Sequence, residues 1–182
     1  SLLFGNFEVV RMEPFDIQAS EAYLGRHVPQ ASAALRNFVI NFTGGIPFYL
    51  EVMSGALHQS PQQSILDILQ AQLFYPSGVL NQRFSNYLTR LHDIPYSDEY
   101  IAILTLISDG HHKIKDIAHL LRKSKNELDP RIQHLLEQGI ANRSADFLNI
   151  SDRVFGFWLK FVYKEKINAL TLDPEHQIAL FR

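Results

Sequence analysis

The sequence predicts a mainly α-helical protein, and three observations support this fold class. Apolar residues recur at the helical spacing i, i+3, i+4, i+7 along most of the chain. The first clear example consists of Leu35, Phe38, Val39 and Phe42. Residues typical of helix starts and ends flank several such stretches. The clearest pair of extended runs is confined to a short stretch after residue 139. We therefore expect a set of helices with one small β-hairpin.

The composition is that of a folded protein and excludes several classes. The 182 residues are 46% hydrophobic and 20% charged, which suits one domain or two small ones. Neither a long apolar run nor a basic and then apolar leader occurs, so we expect a cytoplasmic protein without a membrane span or secretory signal. The absence of cysteine excludes a disulfide scaffold, a thiolate metal site and a cysteine nucleophile. The formal charge of −2 argues against a nucleic-acid coat protein.

Residues 1–15 differ from the rest of the chain. Phe7–Met12 is a short β-favouring run that Pro14 stops. One isolated strand cannot form a sheet, so this segment is expected to be the remnant of a larger core.

Residues 16–92 form the first predicted helical domain. The helical spacing recurs over residues 49–56 and 80–91. Ser60 as N-cap, Pro61 at the first helical position and Gln63 in a capping box predict a further helix that starts there. Residues 75–78 predict a turn, and the segment His92-Asp93-Ile94-Pro95 is the expected domain boundary.

Residues 93–152 predict a second domain of three helices and a hairpin. Ser97 is expected to cap the first helix. Apolar residues at helical spacing predict the second helix over residues 114–121 and the third over residues 128–136. Pro130 favours a start of the third helix near Asn126 or Asp129 rather than a cap at Ser124, because the ring then lies in the first turn. Extended runs on either side of Ser144-Ala145-Asp146 predict the hairpin. This order is that of a winged helix-turn-helix.

Residues 153–182 predict a C-terminal helical tail. The segment after Ser151-Asp152 carries Phe155, Phe157, Trp158 and Phe161, an aromatic surface that must be buried against the molecule or a partner. Asp173-Pro174 is expected to start a last helix.

The sequence contains no motif that assigns a catalytic residue. Neither a Walker A loop nor a Rossmann glycine fingerprint occurs, so this chain alone is not expected to hydrolyse a nucleotide. From spacing alone, Gly44-Gly45-Ile46-Pro47 is a helix C-cap followed by a new helix with Pro47 at its first position. The histidines, including adjacent His111 and His112, lack the spacing of a metal site, and none is predicted.

The charge pattern suggests a binding surface on the second domain. Its candidates are Lys113, Lys115, Arg122, Lys123, Lys125, Arg131 and Arg143. In winged helices the third helix enters the DNA major groove and flanking cations contact phosphates. Glu127 and Asp129 on the third helix oppose this, and residues 95–152 are slightly acidic overall. Duplex DNA binding and a solvated face of a protein-interaction module both remain open.

Four stretches of the sequence carry a family resemblance. They are Leu3-Phe4-Gly5 with residues 7–15; Gly44-Gly45-Ile46-Pro47-Phe48-Tyr49-Leu50; a winged helix with Tyr100, Ile103, Leu104, Gly110, Ile117, Ala118, Leu135, Gly139, Ile140 and Arg143; and Ser151-Asp152 with residues 155–161. In this order they resemble the C-terminal part of archaeal-type ATPases of the AAA+/STAND superfamily. They match its last core strand and exit segment, a "GG-x-P-x-Y-L" motif in the helical lid, its winged helix, and a "D-x-x-x-x-F-W-x-x-F" segment.

The resemblance implies a role that the residues alone do not. Residues 16–92 would be the lid over a nucleotide-binding core, and Gly44, Gly45 and Pro47 would contact ATP or ADP, bound with Mg, in the full-length protein. The Walker residues of such proteins lie upstream of the equivalent of Ser1, so the chain is expected to be a fragment whose first partner is that core.

The sequence thus predicts a non-catalytic regulatory module that couples nucleotide state to DNA or protein binding. The alternative is a stand-alone winged-helix DNA-binding transcriptional regulator. A third reading, a small hydrolase with an unrecognised site, lacks any supporting constellation.

Overall fold

The computed structural model describes residues 13–171, with side chains through residue 167. The expected strand at Phe7–Met12 and the expected helix start at Asp173 lie outside the described residues.

The described chain is mainly helical with one two-stranded antiparallel sheet, which confirms the predicted fold class. The α-helices are α1 Ile17–His27, α2 Ala33–Thr43, α3 Pro47–Gln59, α4 Ile65–Leu73, α5 Val79–His92, α6 Ser97–Ser108, α7 Ile114–Leu120, α8 Lys125–Glu137, α9 Arg153–Trp158 and α10 Lys164–Thr171. The strands are β1 Ala141–Ser144 and β2 Phe147–Ile150, and a π-helical turn, Leu159–Tyr163, joins α9 to α10.

The chain divides into two compact units, Ser1–Ile65 and Leu66–Arg182, which we call the N-terminal and C-terminal units. This division falls within the predicted lid, because α5 packs against α6 and α9 of the C-terminal unit. The functional domain boundaries inferred from the sequence stay predictions.

The described part of the N-terminal unit is a three-helix cluster in which α1, α2 and α3 all contact one another. Asp16 caps α1 by accepting a hydrogen bond from the Ala19 amide at 2.7 Å. Ser32 caps α2 in the same way. The buried side chains at the centre are Leu24, Val28, Val39, Ile40, Tyr49, Leu50, Met53 and Leu57. The helical spacing predicted both α2 and α3, but the buried face of α2 is not the predicted one. Val39, Ile40 and Thr43 are buried there, whereas Phe38 is 41% exposed.

In the C-terminal unit, α6, α7, α8 and the hairpin follow one another as predicted for a winged helix-turn-helix. Ala141 pairs with Ile150 and Ser144 with Phe147, and Ala145 takes a left-handed conformation in the turn. The segment 112–114 also pairs with β2, because the amide of Leu148 donates to the carbonyl of His112 at 2.8 Å. This additional pairing was not predicted from the sequence, and it places the start of α7 beside the hairpin.

The aromatic segment after Asp152 is largely buried within the C-terminal unit. Asp152 caps α9 by accepting hydrogen bonds from the amides of Val154 and Phe155. Trp158 is 1% exposed, and its indole N–H donates to Oδ1 of the buried Asn81 on α5 at 2.8 Å. Phe155 packs against Phe84. Phe161 is the exception to the expected burial, because it remains 46% exposed.

Two predicted helix starts are wrong. The helix assigned to Ser60 and Pro61 begins only at Ile65, and Ser60 instead ends α3, where its amide donates to the Ala56 carbonyl. A serine before a proline fits either role locally, and here α3 extends to that serine. Ser97 is the first residue of α6 and not its cap, because Tyr96 occupies the cap position in a left-handed conformation.

The predicted late start of α8 is also wrong. The helix begins at Lys125, Ser124 is its N-cap, and Pro130 lies inside it. Ser124 and Glu127 form a reciprocal capping box, in which each side chain bonds the other residue's amide. The two capping hydrogen bonds, together with burial of Leu128 in the first turn, favour the early start, although Pro130 has no N–H to donate to the helix backbone.

Candidate functional site

Two regions bear the residues singled out from the sequence. One is the loop Gly44–Pro47 of the N-terminal unit, which we call the glycine loop. The other is the basic surface of α7, α8 and the hairpin.

The glycine loop turns the chain sharply between two helices. Gly44 ends α2 in a left-handed conformation, φ 63°, and its amide donates to the Ile40 carbonyl at 2.9 Å. Gly45 is left-handed as well, with φ 75°. Pro47 is the first residue of α3. The predicted cap followed by a new helix is therefore confirmed.

The glycine loop also holds the segment that enters the N-terminal unit. The Phe15 amide donates to the Gly45 carbonyl at 2.8 Å. A Cβ atom on Gly45 would lie 2.1 Å from the Phe15 carbonyl oxygen, so that no side chain fits there. On the other side, the Gly45 amide reaches the buried hydroxyl of Thr43. The loop and the entering backbone therefore form one connected structure, which we call the entry clamp.

Within the glycine loop, Gly45 is buried and Gly44 and Pro47 are half-buried. The close approach at Gly45 is made by the chain's own backbone at Phe15. Contact of Gly44, Gly45 and Pro47 with a nucleotide stays a prediction.

On the basic surface, Lys123 and Arg131 each form an ion pair with Glu99. Lys123 Nζ lies 2.8 Å from Glu99 Oε1, and Arg131 Nε lies 2.8 Å from Glu99 Oε2. The hydrogen bond from Lys123, together with the two positive charges, lowers the pKa of Glu99 although its burial opposes this shift. The Arg131 guanidinium also lies 3.9 Å from the centre of the Tyr96 ring. These two cations thus join α6 to the turn and helix that follow, instead of standing free for a ligand.

The other five predicted cations are exposed. They are Lys113, Lys115, Arg122, Lys125 and Arg143. At the hairpin, Lys125 Nζ lies 3.4 Å and Arg143 Nη2 lies 3.7 Å from Asp146 Oδ1. Both are exposed ion pairs, which hold side chains only weakly.

Three lysines converge on a groove beside the hairpin, which we call the wing groove. It is lined by Lys113, Lys115, Lys125, Asp146 and Phe147. Lys113 and Phe147 lie side by side because these two residues form an antiparallel backbone bridge. The lysines were predicted from the sequence, but Phe147 was not, because nothing in the pattern of the predicted strand indicates that this ring is 45% exposed.

Apart from Lys125 at its start, the exposed charged residues of α8 are acidic. Glu127, Asp129 and Glu137 are exposed on this helix, whereas Arg131 is turned toward Glu99. Hydrogen bonds from the Ser124 hydroxyl and amide lower the pKa of Glu127 and hold it as a carboxylate. A helix with this face repels phosphates, so α8 is poorly suited to enter a DNA groove.

Residues 13–171 contain no group of three His, Asp or Glu side chains placed to hold a metal ion. Over the same range, no helix is long and apolar enough to cross a membrane.

The arrangement of helices and hairpin defines a mainly α fold that also occurs in part of an ATPase. The structure is similar to that of the Walker-type ATPase PABY2304 of Pyrococcus abyssi, with a TM-score of 0.67 and 19% sequence identity. The match covers 80% of this chain and 42% of that chain, so the similarity concerns less than half of the ATPase. No protein-family model and no curated protein matches this sequence.

Proposed function

We propose that this chain is the regulatory C-terminal module, a lid followed by a winged helix, of an ATP-binding protein of the AAA+/STAND type. In this proposal the module itself is not catalytic and couples the nucleotide state of an upstream core to the binding of a DNA or protein partner. The fold likeness to part of a Walker-type ATPase supports an ATPase-associated module.

The entry clamp is the observation that carries the proposal. The segment that resembles the exit from an ATPase core leads directly into Phe15, and Phe15 is bonded to the glycine loop that resembles the nucleotide-sensing motif. A movement of the core's last strand would therefore reach the glycine loop through one backbone hydrogen bond. A nucleotide that contacts Pro47 in only one lid position would shift the lid equilibrium by the difference in contact energy.

The test uses the protein extended by its native upstream sequence. Pro47→Ala is expected to weaken binding of a fluorescent ADP analogue, whereas Pro61→Ala, a change of the same kind in an exposed turn of the same unit, leaves it unchanged. Thermal unfolding of both variants controls for a loss of structure. Equal affinity for the analogue in wild type and Pro47→Ala would contradict the proposed contact.

The alternative is a stand-alone winged-helix DNA-binding regulator, which the exposed lysines beside the hairpin favour. Titration with duplex DNA at low and high salt separates the two, since phosphate contacts give an affinity that falls steeply with salt. If DNA binds, Lys113→Ala and Lys115→Ala are expected to weaken it more than Lys123→Ala, because Lys123 is occupied by Glu99. An absence of DNA binding at low salt would exclude the regulator and leave a module that binds a protein partner.

A further inference from the structure

The wing groove combines positive charge with an exposed aromatic ring. Phe147 opens β2 at the base of the hairpin turn, and Lys113 Nζ lies 5.7 Å from the centre of its ring. Lys115 at the start of α7 and Lys125 at the start of α8 line the same groove. An occupant that satisfies these groups therefore carries negative charge and an apolar group.

Carboxylates interrupt the positive charge. Asp146 stands in the groove itself, and its side chain is 70% exposed. Asp116 follows Lys115 directly, and Glu127 lies two residues after Lys125, both exposed.

These carboxylates disfavour a nucleic acid as the occupant. A phosphate backbone is an unbroken line of negative charges with acceptor oxygens only, so the carboxylates on either side of the lysines would repel it. A peptide supplies both signs, since its backbone N–H groups donate and its acidic side chains accept.

We propose that the wing groove binds a short acidic segment of a partner protein that carries one apolar side chain. The apolar side chain packs on Phe147, the acidic side chains contact Lys113 and Lys115, and a backbone N–H meets Asp146. The groove encloses about 300 Å³, the lower end of the range for ligand clefts, which suits a few residues of extended chain and not a folded domain. This inference rests on the proposed function, for which it supplies the partner.

The experiment selects a display library of random short peptides on the whole chain, without nucleotide. Selected peptides are expected to share Asp or Glu residues around one apolar residue. A synthetic peptide of that consensus should lose about tenfold or more in affinity when Lys113, Lys115 and Lys125 are all changed to Ala. The groove then loses both lysines that contact the acidic side chains and a third positive charge that lines it. Phe147→Ala should weaken the same peptide through loss of the apolar contact.

The matched control removes the same number of positive charges elsewhere. The triple variant Arg26→Ala, Arg90→Ala, Lys160→Ala changes three exposed cations outside the wing groove and is expected to bind the peptide as the wild type does. Circular dichroism confirms that each variant is folded.

Two results would overturn the inference. One is a selection whose peptides lack acidic residues or bind the lysine variant as well as the wild type. The other is duplex DNA that displaces the peptide from the wild type but does not bind the triple lysine variant, which would make the groove a phosphate site. Because no nucleotide is present, failure here leaves the Pro47 test untouched, and failure of that test leaves this binding intact.

Discussion

Gly45 shows how one residue type can be required by two independent constraints. Its φ of 75° lies in the left-handed region that side chains disfavour, and the Phe15 carbonyl occupies the space of a Cβ atom. The second constraint arises from a residue 30 positions earlier in the sequence. The spacing of the glycine pair therefore predicted the turn but not what lies against it.

We expect Gly45→Ala to lower the free energy of unfolding by at least ~2 kcal/mol, because the new methyl group must displace the entering backbone. Gly55→Ala is the control, since Gly55 lies inside α3 with open space around it. That change should stabilise the protein by up to about 1 kcal/mol through helix propensity. Urea unfolding of both variants gives the comparison, and equal effects would show that the entry clamp is loose.

Glu99 links stability to pH at a second single residue. Its pKa is lowered from the usual 4.5 in the folded state by Lys123 and Arg131. The stabilisation is therefore present above the unfolded pKa and is lost as pH falls through the lower folded value.

Glu99→Gln should accordingly destabilise the protein at pH 7, and its difference from wild type should shrink as pH falls below about 4.5. The urea midpoint measured from pH 7 to pH 3 checks this. Glu51→Gln, a change at an exposed residue of α3, is the reference. A difference that stays constant over this range would mean that the ion pair does not contribute through its charge.

At the level of the element, α8 illustrates competition between local signals. The capping box of Ser124 and Glu127 favours a start at Lys125, and the ring of Pro130 opposes a helix that continues past it. The helix accommodates the proline at the sixth position, where one intrahelical hydrogen bond is missing. Its exposed acidic face and its partners on α6 are thereby set by the early start.

Replacing this proline should strengthen the helix. Pro130→Ala restores the missing N–H at an exposed position, and we expect it to raise the free energy of unfolding by ~1 to 3 kcal/mol, part of the gain being offset by the freer unfolded chain. Chemical denaturation followed by circular dichroism measures the change. Ser124→Ala should act in the opposite direction by ~1 kcal/mol. Destabilisation by Pro130→Ala would instead indicate that the ring makes a needed contact.

For the whole molecule, the two compact units separate the two candidate regions. The glycine loop lies in the N-terminal unit, and the wing groove lies in the C-terminal unit. If the chain is a regulatory module, the first region receives a signal from an upstream core and the second engages a partner.

The 182-residue chain by itself is expected to be indifferent to nucleotide, because its sequence contains no Walker A loop to hold phosphates. A ligand that binds only the folded state raises the unfolding temperature, so the temperature measured with and without MgATP should agree. A clear rise with MgATP would place a nucleotide site within these residues and contradict the division of roles proposed above.

The amino-acid sequence determined the features that depend on neighbours along the chain. Helical periodicity predicted α2, α3 and α5 to α8, and turn residues predicted the hairpin. The segment from residue 153 was predicted to be helical, and α9 begins there. These signals are local, because a helix face or a cap is formed by residues three or four positions apart.

Only the tertiary structure decided which of these residues are available for function. Glu99 forms ion pairs with Lys123 and Arg131, which lie 24 and 32 positions later in the sequence. Phe15 fills the space beside Gly45. The backbone bridge at Lys113 places Phe147 among the lysines. The physical reason is that each side chain's partner is chosen by packing between distant segments. Sequence spacing shows that a charge or a glycine exists, and the folded contacts decide what remains free to act.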